Sequence, residues 1–139
     1  MNIIAVFALL ALAGCAAVQA PSAMPQLSQA QGQLRSAWRA LENRDHLKAH
    51  AAADACVTLL GEQARAVNPR CPGTTGDCIL LNVVGECLAV KVLAYRDQKD
   101  AEGSNEACRR IEQHYSNSGV YEYNGMSWTP LELCREIRS

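Results

Sequence analysis

Apolar positions change their spacing several times along this chain, and each change marks an element. Residues 3–13 form an unbroken apolar run. From Leu27 the period becomes helical: Leu27, Ala30, Leu34, Trp38 and Leu41 recur every three or four residues, as in an amphipathic helix with one buried stripe. Ser28 is a suitable N-cap for it. Asn43 to Asp45 reads as a turn. Ala51, Ala52, Ala55, Cys56, Leu59 and Leu60 then mark a second helix whose small residues permit close approach to the first. That helix has to stop by Asn68, because Pro69 disfavours helical geometry in the residue before it. Residues 67–78 are loop by composition. Asp77 can cap a third helix carrying Ile79, Leu80, Leu81, Val83, Val84, Cys87, Leu88, Val90, Val92 and Leu93. This is the most hydrophobic stretch after the leader and the expected central, buried helix. A turn at Asp97–Asp100 leads to a fourth helix with Ala107, Cys108, Ile111 and Tyr115, ending at Asn117-Ser118-Gly119.

The pattern then alternates. Tyr121 and Tyr123 precede Asn124-Gly125, and Met126 and Trp128 follow it. Asn-Gly between alternating residues is the signature of a two-residue β-hairpin turn. Thr129-Pro130-Leu131-Glu132 is a capping box with Pro at the first helical position, so a last short helix, carrying Leu133, Cys134 and Ile137, starts there.

The helical part contains an internal echo. Shifted by 52 positions, Ala37, Leu41, Arg44, Asp45, Ala49, Ala55 and Cys56 fall on Ala89, Leu93, Arg96, Asp97, Ala101, Ala107 and Cys108. The predicted fold class is therefore all-α: two duplicated helical hairpins plus a short C-terminal helix, with a small β-hairpin near 120–128, stapled by disulfides.

Charge distribution separates the leader from the domain. The first 34 residues carry no charged side chain, in a chain that is 19% charged with a formal balance of −1. The apolar run has the length of a signal-peptide core, too short for a confident membrane span. The expected organisation is a signal peptide within 1–20, a Pro-punctuated tether over 16–26 and one domain over 27–139. Cleavage falls before Cys15 or after Ala20. The even charge balance argues against a nucleic-acid partner.

Without Cys15, six cysteines remain: Cys56, Cys71, Cys78, Cys87, Cys108 and Cys134. An even set in a small exported domain predicts three disulfides, and the spacings do not suit zinc. Cys87 and Cys108 flank the Asp97–Gln98 midpoint of the second hairpin, so antiparallel helices are expected to bring them level. Cys71 and Cys78 bracket a short Gly/Pro loop and are expected to bridge locally. That leaves Cys56 for Cys134. The loop between Cys71 and Cys78 is either a presented binding loop or a stapled connection, with the connection favoured.

Candidate chemistry is sparse. His46, His50 and Asp54 stand at i, i+4 and i+8 and would share a helix face, a pattern that can ligate a divalent metal. Ligands at i and i+8 are about two turns apart, so a solvated polar face is the favoured reading and no metal is predicted. No Gly-x-Ser-x-Gly elbow, phosphate-cradling Gly loop or His-Glu-x-x-His sequence is present. Glu122 and Glu132 lie in patterned places, the latter in the capping box. The sequence predicts a non-enzymatic protein without a cofactor. Tyr121, Tyr123, Met126 and Trp128 stand out instead, because three of the six aromatics after the leader fall within eight residues. Tyr and Trp dominate interface hot spots, so these four are the candidate partner-binding residues. They either form a recognition knob or pack down as a lid.

Leu12-Ala13-Gly14-Cys15 resembles the lipobox of bacterial lipoproteins. The resemblance implies that Cys15 is lipidated and becomes the first mature residue, and Ala16 after it resembles the outer-membrane-sorted kind. The hairpin duplication weakly resembles a tetratricopeptide array and, with its cysteines, looks like cysteine-rich helical-repeat proteins of bacterial envelopes. It implies protein binding as a general role and assigns no residue. The resulting expectation is a lipid-anchored protein on the periplasmic face of a bacterial outer membrane that binds another protein, with an immunity or inhibitor role against a periplasmic toxin or hydrolase as the form that fits its size and frame. The alternatives are a pilotin-like or scaffold accessory of a secretion or envelope machine, and a secreted, unlipidated helical effector.

Overall fold

The structure is a computed structural model that describes residues 23–71 and 78–139. Cys15, its lipobox and Asp77 lie outside the described residues. The order of elements is α1 (Ala23–Glu42), α2 (His46–Val67), a 3-10 turn (Asn68–Arg70), α3 (Ile79–Asp97), α4 (Ala101–His114), β1 (Tyr121–Tyr123), β2 (Met126–Trp128) and α5 (Pro130–Arg138). The fold is all-α with one small antiparallel hairpin. Residues 23–26 of the expected tether belong to α1, so Ser28 lies inside that helix and does not cap it. Pro25 is tolerated because it sits in the first turn, where a backbone N–H has no helical acceptor to lose.

α1 and α2 form one helical hairpin, α3 and α4 the other, and their turns are the same structure. Arg44 N donates to Leu41 O and Asp45 N to Ala40 O; Lys99 N donates to Arg96 O and Asp100 N to Tyr95 O. Arg44 and Lys99 both take the left-handed conformation, at φ 57° and 59°. This is a Schellman ending whose next residue at once caps the following helix. Asp45 accepts from Lys48 N, and Asp100 accepts from Gly103 N.

These equivalences set the structural repeat at 55 residues, not 52. The burial pattern agrees: Ala49, Ala52, Ala53, Cys56 and Leu60 of the first hairpin correspond to Ser104, Ala107, Cys108, Ile111 and Tyr115 of the second, and all ten are buried. The matching Arg-Asp dipeptides therefore play different parts. Asp45 is an N-cap, whereas Asp97 is the last residue of α3. The sequence echo is about one helical turn out of step.

α3 is the shared centre. It packs against α1, α2, α4 and α5, and Leu81, Val84, Leu88, Val90, Val92 and Leu93 are fully buried on it. α1 and α2 bring Ala30, Ala37, Ala40, Ala49 and Ala53 into the same core, and side chains this small let the helices lie close. Lys91 is buried on α3 yet ion-pairs with Asp54 at the surface of α2, its stem packed and its ammonium carried outward.

All six cysteines of the domain are paired, but two of the three expected pairings are replaced. The bridges are Cys56–Cys87, Cys71–Cys78 and Cys108–Cys134. Cys71–Cys78 is as expected; its intervening residues 72–77 lie outside the described set. Cys87–Cys108 fails because the hairpin turns about Lys99, not about Asp97–Gln98. α3 ends ten residues after Cys87 (97 − 87), while α4 begins seven before Cys108 (108 − 101). The two positions are thus offset by about 4.5 Å along the axes, and Cys87 turns toward α2. Cys56–Cys134 fails because α5 docks on α4 and α3, not on the first hairpin. Arg138 reinforces that docking by pairing with Glu112 on α4.

Candidate functional site

The β-hairpin is held against α3 by a close approach. A Cβ on Gly85 would run into Ser118 Oγ and Cβ and would also touch Pro130. Only a residue without a side chain lets the chain cross α3 here. Ser118 Oγ donates to Tyr115 O, and Gly119 N donates to Asn82 Oδ1, which fixes where the hairpin begins. Asn124 and Gly125 both have positive φ, as the predicted tight turn requires. The capping box is formed as expected: Thr129 N donates to Glu132 Oε2 and Glu132 N to Thr129 Oγ1. The Thr129 backbone N–H foremost, and then its side chain, hold the Glu132 carboxyl below its usual pKa.

Strand register pairs Tyr121 with Trp128, Glu122 with Ser127 and Tyr123 with Met126. Directly opposed residues share a face, so the four expected binding residues lie on one side of the hairpin and Glu122 and Ser127 on the other. They have different fates. Tyr121 is buried with its ring 5.8 Å from Trp38 of α1, and Tyr123 stacks on the same indole at 5.2 Å. These two tyrosines form a lid. Trp128 is half-buried and lines a shallow groove with Arg135 and Glu136 of α5. Met126, at the tip, is 53% exposed, and Val120 beside the hairpin is 65% exposed.

The lid closes one side of an open cleft of about 700 Å³. Trp38 and Tyr123 provide its aromatic wall. Trp38 Nε1 donates to Glu86 Oε1 at 2.7 Å, holding the carboxylate of α3 beside that wall. Burial raises the Glu86 pKa, partly offset by the Trp38 bond. Burial also raises the Tyr121 pKa, with the nearby Glu86 charge adding to it. The Tyr121 hydroxyl is buried without a hydrogen-bond partner among the described residues. The rim comes from the two Schellman turns and the hairpin tip: Glu42 and Arg44, Arg96 and Asp97, Glu122 and Asn124. The repeated turns thus bring Arg44 and Arg96 to one opening.

The three members of the candidate metal set each face the second half of α3 or its turn. His46 lies 3.7 Å from Asp97, His50 meets Gln98 Oε1 at 2.8 Å and packs on Tyr95, and Asp54 holds Lys91. Among the described residues, no three His, Cys, Asp or Glu side chains are placed to hold a metal ion, and no helix is long and apolar enough to cross a membrane.

Pattern reasoning on the sequence singled out Tyr121 and Tyr123 but missed Trp38, Glu86, Arg44 and Arg96 as parts of the same site. Trp38 was absorbed into the α1 stripe. Glu86 left a readable signal, being the one charged residue between Ile79 and Val90; a carboxylate inside an apolar helix needs a partner or a purpose. The chain matches no protein-family model, no curated protein and no solved structure, so its site is read from its own chemistry.

Proposed function

We propose that this chain is a non-enzymatic binding protein, held by a lipid on Cys15 at the periplasmic face of a bacterial outer membrane, and that it binds another protein through the cleft beside the β-hairpin. An immunity or inhibitor role fits this reading. The observation that carries it is the cleft's composition: an aromatic wall of Trp38 and Tyr123, a desolvated carboxylate at Glu86, and two rim arginines, Arg44 and Arg96, without an ion-pair partner among the described residues. Aromatic and Arg side chains in a preformed recess are what interface hot spots are made of. Met126, paired with the wall residue Tyr123 across the hairpin, adds an exposed apolar side chain. Three disulfides suit an oxidising compartment and fix the cleft before binding, lowering the ordering cost.

The test captures envelope proteins on the mature domain and on a Tyr123→Ala variant. One protein retained by the first and lost from the second supports the reading; identical capture by both rejects the cleft as the binding site. Mass spectrometry of the mature N-terminus tests the anchor. A diacylated Cys15 is expected, and a free Pro21 would replace it with plain secretion.

A further inference from the structure

We infer that the cleft receives a cationic side chain, an arginine in preference to a lysine, presented by the bound protein. This rests on the protein-binding reading above and names the chemistry of the same site. Glu86 sits at the aromatic wall with one oxygen held by Trp38 Nε1, and no cation of the chain lies within ion-pair distance of it among the described residues. A part-buried carboxylate with a single hydrogen bond is under-compensated. A guanidinium supplies what Glu86 lacks, donors in a planar fork for its free oxygen, and brings a flat face to lie on the aromatic wall of Trp38 and Tyr123.

The surroundings favour the same sign. Glu42, Asp97 and Glu122 join Glu86 on the cleft lining, four carboxylates against the two guanidiniums of Arg44 and Arg96. The arginines come from the interhelix turns and stand on the rim, where they disfavour a run of positive charges and leave room for one. Lysine would gain the charge attraction but neither the fork nor the stacking.

The experiment titrates the domain with N-acetyl-Gly-Arg-Gly-amide and follows the indole N–H signal of Trp38 by NMR, assigned with a Trp128→Phe variant. At pH 7.5 the arginine peptide is expected to shift that signal saturably, while the citrulline peptide, the same shape without charge, leaves it in place. In Glu86→Gln, affinity should fall by roughly tenfold or more, the loss of a charge-assisted contact. In the unaltered protein, affinity should fall as pH is lowered and Glu86 takes up its proton, a measurement that needs no variant to fold. Equal binding of the citrulline peptide, no shift at all, or a pH-independent affinity would overturn the inference. Failure of the wider reading shows differently. If Glu86→Gln still captures the partner that Tyr123→Ala loses, the cleft binds protein by other chemistry; if Tyr123→Ala loses nothing, the binding site itself is misplaced.

Discussion

The two helical hairpins share a turn and the buried face of their second helices, and differ in what packs around them. Each reverses through a Schellman ending with a non-glycine residue in the left-handed region, and each caps its second helix with the next aspartate. The first hairpin is a pair of long helices joined along small alanines. In the second, α3 is apolar on nearly every side, and α4 is shorter than α2 and shares α3 with α5. The disulfides follow this difference. Cys56–Cys87 ties the hairpins to each other, whereas Cys108–Cys134 ties the second hairpin to the C-terminal helix. A local hydrogen-bonding motif can thus repeat while the packing around it diverges, and the candidate cleft opens where the two repeated turns meet the β-hairpin.

The sharpest test of this asymmetry is in the core. Leu88→Ala, fully buried on α3, should cost about 3–5 kcal/mol, and Leu34→Ala, mid-helix on α1 and 9% exposed, about 2 kcal/mol. Equal losses in denaturant titrations would remove α3 from its central place. Next come the bridges. Replacing Cys56 and Cys87 together by Ala should cost ~3–4 kcal/mol, against ~2 kcal/mol for Cys71 with Cys78, because the second loop is much shorter. Peptide mapping under non-reducing conditions checks the pairing directly; a Cys87–Cys108 peptide would contradict it.

The equivalent positions Lys48 and Gly103 give a smaller contrast. A Cβ at Gly103 overlaps the Tyr95 ring, while Lys48 is exposed. Gly103→Ala should destabilise by about 1–3 kcal/mol, and Lys48→Ala should stay within about 0.5 kcal/mol. The caps probe what the hairpins share: Asp45→Ala and Asp100→Ala should each cost about 1 kcal/mol, and a large inequality would break the equivalence of the turns.

The smallest effect is at Glu86. Its folded pKa is raised, so the folded protein holds more protons than the unfolded chain between the ordinary carboxyl pKa and the raised one. Stability attributable to Glu86 therefore falls as pH rises through that window. Glu86→Gln should remove this slope and leave stability at neutral pH unchanged or slightly higher. A steeper slope in the variant would mean that Glu86 is stabilised by a charge partner.

Much of this architecture was legible in the chain. The stripes from Leu27 to Leu41 and from Ile79 to Leu93, the two turns, the Asn124-Gly125 hairpin and the Thr129–Glu132 capping box all depend on nearest neighbours in sequence, so local rules sufficed. Two of the three disulfide pairings were not local. They turned on which helix face Cys87 presents, and that was decided by the packing of α3 against α2. The repeat register was misread because seven side-chain identities at a 52-residue shift outweighed, on paper, backbone hydrogen bonds that no letter records. Half of the cleft was hidden for the same reason. Trp38, Glu86 and Tyr123 are far apart in the chain; the packing of α1 on α3 joins the first two, and the close crossing at Gly85 lets the hairpin add the third.

The central claim, that the cleft is where a partner protein sits, is tested most directly by photo-cross-linking in the producing cell from two single positions. One replaces Asn124 at the cleft rim; the other replaces exposed Thr58 in the shallow groove beside Tyr115, which shares no lining residue with the cleft. A discrete adduct with one envelope protein from position 124 and none from position 58 is the expected result. The same adduct from position 58, with none from position 124, would contradict the account.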